Sequence, residues 1–233
     1  MDVPDVNKRQ PLMGEGDHMN PTDEPPTSVL QYGAAQQGLP LTGAQANTLH
    51  SYLILLEKWN KAYNLTAIRD KSRMLSHHLL DSLSIHSYLL GPRLLDVGTG
   101  AGLPGLVLAI VFPHWQWVLL DSQAKKTRFL TQVVLELGLT NIEVVNARAE
   151  NYRPAQPFNT VVTRAVASLA DQVKLTRHLW TPSGSLLAMK GALGEEELGE
   201  LQERDLELHV HPLTVPMLNA QRCVAVVKNR QES

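Results

Sequence analysis

Cysteine is nearly absent from this chain of 233 residues: Cys223 stands alone. No internal disulfide can form, and a cysteine-based zinc site is impossible. Long apolar runs are missing too. The greasiest, Leu106 to Phe112, falls well short of the roughly 20 residues a membrane span needs, and Pro104 and Pro113 bracket it. The first residues lack the charged-then-apolar order of a secretory signal. These absences lead us to expect a cytoplasmic protein with no membrane attachment. Excess positive charge is also lacking. With a net charge of −2, the chain offers no global pull on nucleic acid, so any such binding requires a local basic patch.

What is present describes an ordinary folded chain, 43% hydrophobic and 19% charged, long enough for one sizeable core and a small appendage. Residues 1–38 hold scattered prolines and acids without a sustained apolar period and read as a disordered leader. Residues 39–92 read as a helical N-terminal segment. Thr42 and Gln45 have the spacing of a capping box, and Leu49, Tyr52, Leu53, Leu56, Trp59 and Tyr63 follow at helical intervals. A second helix is expected from Asp70 to Leu90, with Leu75, Leu79 and Leu83 on one face and Gly91-Pro92 as its stop.

From residue 93 to 233 the pattern changes to alternating strands and helices. Strands are expected at Arg93–Val97, Trp115–Leu120, Ile142–Asn146, Thr160–Thr163, Ser185–Met189 and Cys223–Val227, with helices at Pro104–Phe112 and Ala124–Leu137. Such alternation implies an α/β fold with a mostly parallel, doubly wound sheet. The acidic stretch Glu195 to Glu207 reads as a solvated helix face.

The chemistry concentrates in Asp96-Val97-Gly98-Thr99-Gly100-Ala101-Gly102-Leu103-Pro104-Gly105. Glycines are required where backbone takes positive φ or a ligand comes close. Gly100-x-Gly102-x-x-Gly105 satisfies the dinucleotide fingerprint, while Asp96-x-Gly98-x-Gly100-x-Gly102 is the first motif of methyltransferases. Asp121, ending the next strand, can accept both hydroxyls of a ribose, which suits NAD and S-adenosylmethionine equally. Three features favour the second reading. The loop carries no positive charge for a pyrophosphate, and Asp96 suits an ammonium or sulfonium ligand. The remaining chain is only long enough to finish one sheet. No tyrosine has lysine four residues later, as a one-domain short-chain dehydrogenase would need. A noncatalytic S-adenosylmethionine-binding module stays open on these grounds, as does a methyltransferase for another acceptor.

Six blocks then occur in one order: Trp59 to Thr66, His78 to Ser82, Asp96 to Gly105, Leu120 to Ser122, Thr163 to Ala165, and Lys190-Gly191. The set, spanning about residue 40 to the end, resembles the bacterial glucose-inhibited division protein B family, the small-subunit (16S) ribosomal RNA guanine-N7 methyltransferases. The resemblance implies a Rossmann-like methyltransferase fold and S-adenosyl-L-methionine as cofactor. It also implies small-subunit ribosomal RNA, or the ribosomal particle, as partner, with no role for DNA. A monomer is expected. Carried over residue by residue, the cofactor contacts are Gly98, Leu103, Ala149, Glu150 and Arg164; Gly100, Gly102 and Asp121 join them from the loop and ribose arguments. His77 departs from the family pattern, which has lysine or arginine there.

Guanine N7 has a free lone pair and no proton, so its attack on a sulfonium methyl needs no general base. No catalytic side chain is therefore expected, and rate should come from alignment. His78 and Asp81, three apart on a helix, share a face, but methyl transfer needs no metal, and none is expected. Arg164 or Lys190, both following central strands, can donate to guanine O6. Lys61, Asn64 and His78 are the further candidates for RNA contact. Lys61 sits in a basic stretch from Lys58 to Arg73 with Trp59 and Tyr63 interleaved, although both rings also fit the helix's buried stripe.

Overall fold

The computed structural model describes residues 26–164, 167–194, 197, 199 and 205–230. Seven strands form one sheet: β1 Arg93–Val97, β2 Gln116–Asp121, β3 Ile142–Asn146, β4 Phe158–Arg164, β5 Trp180–Lys190, β6 Leu206–Leu213 and β7 Arg222–Asn229. Their spatial order is β3-β2-β1-β4-β5-β7-β6. The first five run parallel, β7 is antiparallel to β5, and β6 is antiparallel to β7. The expected mostly parallel sheet is thus present. Its central strands read as near-continuous apolar runs because helices cover both faces. Leu94, Leu119, Val162 and Leu187 pack on one side, and Leu95, Val118, Val161 and Leu186 on the other.

Helices α1 (Pro26–Gln36), α2 (Gly43–Tyr63), α5 (Gly105–Val111) and α6 (Ala124–Glu136) contribute to the first side. Helix α7 (Leu169–Thr176) contributes to the second. Strand order reverses at β1, whose neighbours are β2 and β4, and a ligand crevice is expected beyond the carboxyl ends of strands at such a point.

Helix α2 is capped as expected. The Thr42 hydroxyl accepts from the Gln45 N–H at 3.2 Å, and the Gln45 side chain accepts from the Thr42 N–H at 2.9 Å. It ends at Asn64, which takes the left-handed conformation (φ 47°). The second helix is not the single element expected over 70–90. It comprises α3 (Lys71–Met74), one π-helical stretch over Leu75–Leu80, and α4 (Asp81–Leu83). The leucine stripe survives, with Leu75, Leu79 and Leu83 all buried. The widened turn lies in the segment that carries His77, His78 and Asp81, and such turns recur at functional sites.

The leader requires correction. Residues 1–25 lie outside the described residues, but 26–36 form helix α1 rather than disordered chain. Pro26 stands at its first position, where its missing N–H costs nothing. Leu30 and Ala34 are buried, and Gly33 lies so close to Leu80 that an added Cβ would sit 2.7 Å from its Cδ1. The Gln31 side chain donates to the Leu41 carbonyl, and that of Gln37 to the Leu80 carbonyl. Most of the acidic stretch also lies outside the described residues. Glu207 falls within strand β6, not a helix face.

Candidate active site

Strand β1 carries Asp96 to the carboxyl end of the sheet, where the chain turns through the glycines into α5. Asp96 is fully buried. Its Oδ2 accepts from the Thr99 hydroxyl at 2.7 Å and from the Gly105 N–H at 2.7 Å, so one carboxylate clasps both ends of the loop. Burial pushes its carboxyl up to about 6, opposed by those two hydrogen bonds. Asp96 therefore braces the loop from inside, a different role from the cation-facing one expected.

Gly102 has φ 97°, and an added Cβ would lie 2.8 Å from Leu106 Cβ and 2.9 Å from Leu130 Cδ2. No other residue fits without displacing α5 or α6. Helix α2 supports the same loop, since the Tyr52 hydroxyl donates to the Ala101 carbonyl at 2.8 Å.

Asp121, at the end of β2, is buried and faces the loop. Its Oδ2 accepts from the Gly100 N–H at 3.0 Å and its Oδ1 from the Gln123 N–H at 2.8 Å; Lys126 Nζ stands 3.6 Å from Oδ2. Each oxygen keeps a lone pair for another donor. Asp121 lines a cleft of about 330 Å³ together with Gly98, Lys126, Ala149, Glu150 and Arg164. Ala149 is buried and Glu150 exposed, both on the turn after β3.

A second pocket, of about 410 Å³, adjoins it. Its walls include His77, His78, Asp81, Arg164, Lys190 and Arg222. Arg164 belongs to both. Asp81 is buried and accepts from Arg164 Nη1 at 3.1 Å and from Arg222 Nε at 2.8 Å. It does not hold the His78 ring. His78 Nε2 instead lies 3.0 Å from the Thr66 hydroxyl, and burial lowers its pKa to about 4, helped by the Arg164 charge. Lys190 Nζ donates to the Ala167 carbonyl and to Glu197 Oε1, each at 2.7 Å, so two of its three protons are already used.

Of the residues selected from sequence, the structure brings Gly98, Asp121, Ala149, Glu150 and Arg164 to one cleft, and His78, Arg164 and Lys190 to the adjoining pocket. Gly100 reaches the cleft only through its bond to Asp121. Gly102 and Leu103 do not line it; Leu103 is buried in the core. Lys61 and Asn64 lie on the surface at the end of α2. Lys61 Nζ is 4.0 Å from Glu57, and the Asn64 side chain accepts from Arg69 at 3.4 Å.

Arg222, Lys126 and Arg148 are wall residues that sequence reasoning missed. The signal for Arg222 lies in topology: because β7 runs antiparallel, its first residue sits at the carboxyl edge of the parallel strands, next to Cys223, which pairs with Lys190. The cations also show that charge within the loop is a poor guide to charge in the cleft. Positive side chains arrive from α6, the turn after β3, and β4.

The strand order, the reversed β7, and a glycine loop facing a carboxylate at the end of β2 define a Rossmann-like methyltransferase domain. A solved S-adenosylmethionine-dependent methyltransferase from Aquifex aeolicus shares the fold, with a TM-score of 0.51 at 18% identity, covering 73% of this chain and 96% of that one. Sequence comparison is more specific. The family model GidB, rRNA small subunit methyltransferase G, matches residues 45–225. The ribosomal RNA small subunit methyltransferase G of Nitrosococcus oceani is 50% identical over 204 residues, covering 88% of this chain and 95% of that protein. Its namesake in Chromobacterium violaceum is 51% identical over 197 residues, covering 84% and 94%. The chain belongs to the rRNA small subunit methyltransferase G family.

Proposed function

We propose that this enzyme, an S-adenosylmethionine-dependent methyltransferase of small-subunit ribosomal RNA, methylates N7 of one guanine, with the β1–β2 cleft holding the cofactor and the adjoining pocket the target nucleotide. The observation that carries this reading is Arg164, which forms part of both walls. Donor and acceptor sites that share a wall residue lie side by side, the arrangement that direct transfer requires.

The residues fit the cofactor. Asp121 keeps acceptor capacity on both oxygens for ribose hydroxyls, Gly98 lines the cleft at φ 69°, and Ala149 offers a small apolar wall for a flat base with Glu150 beside it. When bound, S-adenosylmethionine supplies an electrophilic methyl group on a sulfonium sulfur.

The chain's own residues orient and exclude. Guanine N7 presents no proton to remove, and the pocket is poorly equipped to remove one. His78 is buried, bonded to Thr66 and held neutral near pH 7. Asp81 is committed to two guanidinium groups. His77 Nδ1 is 3.0 Å from the Ser76 hydroxyl. What remains is alignment, a contribution that reaches about 7–11 kcal/mol in favourable cases. Arg164 keeps Nε and Nη2 for acceptors of the nucleotide, while Lys190 is mostly occupied.

The RNA backbone is expected to cross the end of α2. There Tyr63 is exposed and stacks on Trp59 (ring centroids 5.2 Å apart), with Lys61, Arg69 and Lys125 around it. Lys125 Nζ donates to the Tyr63 carbonyl, tying α6 to this surface. We take the protein to act as a cytoplasmic monomer. The test is transfer of a labelled methyl group from S-adenosylmethionine to small-subunit RNA, followed by digestion to nucleosides. 7-Methylguanosine is the expected product, and label in any other nucleoside contradicts the reading.

A further inference from the structure

We infer that Asp81, Arg164 and Arg222 form a phosphodiester-binding subsite in the pocket beside the cofactor cleft, in which Arg222 grips the RNA backbone at the target nucleotide and Asp81 positions both arginines. This rests on the functional reading above, in that the phosphodiester is taken to be that of the substrate RNA.

The three side chains come from distant parts of the chain: the start of α4, the end of β4 and the start of β7. They meet because β7 is reversed. Asp81 is buried and spends one oxygen on each guanidinium, Oδ2 on Arg164 and Oδ1 on Arg222. A carboxylate used this way fixes the planes of both forks and removes their freedom before any ligand arrives.

The forks are not exhausted. Arg164 uses Nη1 for Asp81 and the His77 carbonyl; Arg222 uses Nε for Asp81 and Nη1 for the Gln221 carbonyl. Among the described residues, Arg164 Nε and Nη2 and Arg222 Nη2 have no protein acceptor, and both side chains line the pocket. What they await is a ligand made of acceptors.

Charge points to the same class. Two guanidinium groups and one carboxylate leave one net positive charge in the cluster, which a single phosphodiester neutralises. The nearby Lys190 is already balanced by Glu197 at 2.7 Å. A neutral base edge would leave the charge standing. Arg222 does not line the cofactor cleft, whereas Arg164 does. Removing Arg222 should therefore separate RNA binding from cofactor binding.

The test uses the full-length protein and small-subunit RNA. Arg222→Gln is expected to weaken RNA binding about tenfold and to flatten the slope of log affinity against log salt by about 0.7–0.9, the loss of one phosphate contact. KM for RNA should rise with it, while calorimetric affinity for S-adenosylmethionine stays within about threefold of wild type. Arg222→Lys keeps the charge without the fork and should restore the slope. Melting curves of the variants identify any loss that is only structural, and Arg222→Met, which keeps the apolar stem but loses the charge, carries the same expectations if Arg222→Gln unfolds. An unchanged slope and KM in Arg222→Gln overturns the proposal, as does a fall in cofactor affinity equal to the rise in KM. If wild-type enzyme bound RNA with this slope but methylated another atom, the functional reading would fail and the subsite would stand.

Discussion

At the scale of single residues, buried carboxylates do much of the organising. Asp121 offers acceptor capacity to the cleft while bracing Gly100 and Gln123. Asp121→Ala should therefore weaken S-adenosylmethionine binding by roughly 1.5–3 kcal/mol for each ribose bond lost, and should lower the melting temperature as well, since two backbone N–H groups lose their acceptor. Calorimetry finding wild-type affinity in the variant would remove Asp121 from the cofactor site. Gly102→Ala should cost about 2–4 kcal/mol from positive-φ strain and overlap with Leu106 and Leu130, as chemical denaturation can check. His78 makes a pH-dependent contribution. Its folded pKa lies at about 4, below the ordinary imidazole value of 6.5, because burial disfavours the charged ring. The stability tied to this group is fully present above pH 6.5 and is lost as pH falls towards 4. His78→Gln should flatten that acid decline in melting temperature; an unaltered decline would assign it to other groups.

At the scale of elements, most of the sheet was readable because a strand covered on both faces shows a near-continuous apolar run. Strands β1 to β5 and β7 lie where their runs lie, though β5 begins earlier, at Trp180. Helix α1 was hidden by its composition. Its stripe is built from Leu30, Gly33 and Ala34, small residues that carry little hydropathy, and its opening proline reads as a breaker. Strand β6 was hidden because it is an edge whose alternation, Leu206, Leu208 and Val210, follows directly on an acidic run. In the site, the glycine loop and Asp121 were legible from local spacing. The partnership of Asp81 with Arg222 was not, because 141 residues separate them and only the reversed strand joins them. Helix α1 supplies a prediction at this scale. Deleting residues 1–38 removes the buried Leu30 and the bonds from Gln31 and Gln37. The loss of one buried leucine alone is worth about 1.5–3 kcal/mol, so the melting temperature should fall by several degrees. An unchanged transition would show that α1 does not contribute to the stability of the domain.

At the scale of the whole molecule, the RNA contacts proposed for this nearly neutral protein are cations gathered where the sheet's carboxyl edge meets the helical N-terminal segment. Arg164 and Arg222 stand in the pocket, with Lys61, Arg69 and Lys125 on the surface at the end of α2. The N-terminal helices contribute the π-helical turn, the brace on the glycine loop and the outer surface, and they pack with the sheet as one unit. The central claim is that this unit aligns an N7 atom and moves no proton. The measurement that tests it most directly is the single-turnover rate, at saturating RNA and cofactor, across the neutral pH range. The account predicts a nearly flat profile from about pH 6.5 to 8.5, in wild type and in His77→Gln alike, since a required base titrating there would impose a tenfold fall per unit below its pKa. A rate that climbs with unit slope through neutrality, and loses that climb when His77 or His78 is replaced by glutamine, would contradict it and point to an amine or hydroxyl acceptor.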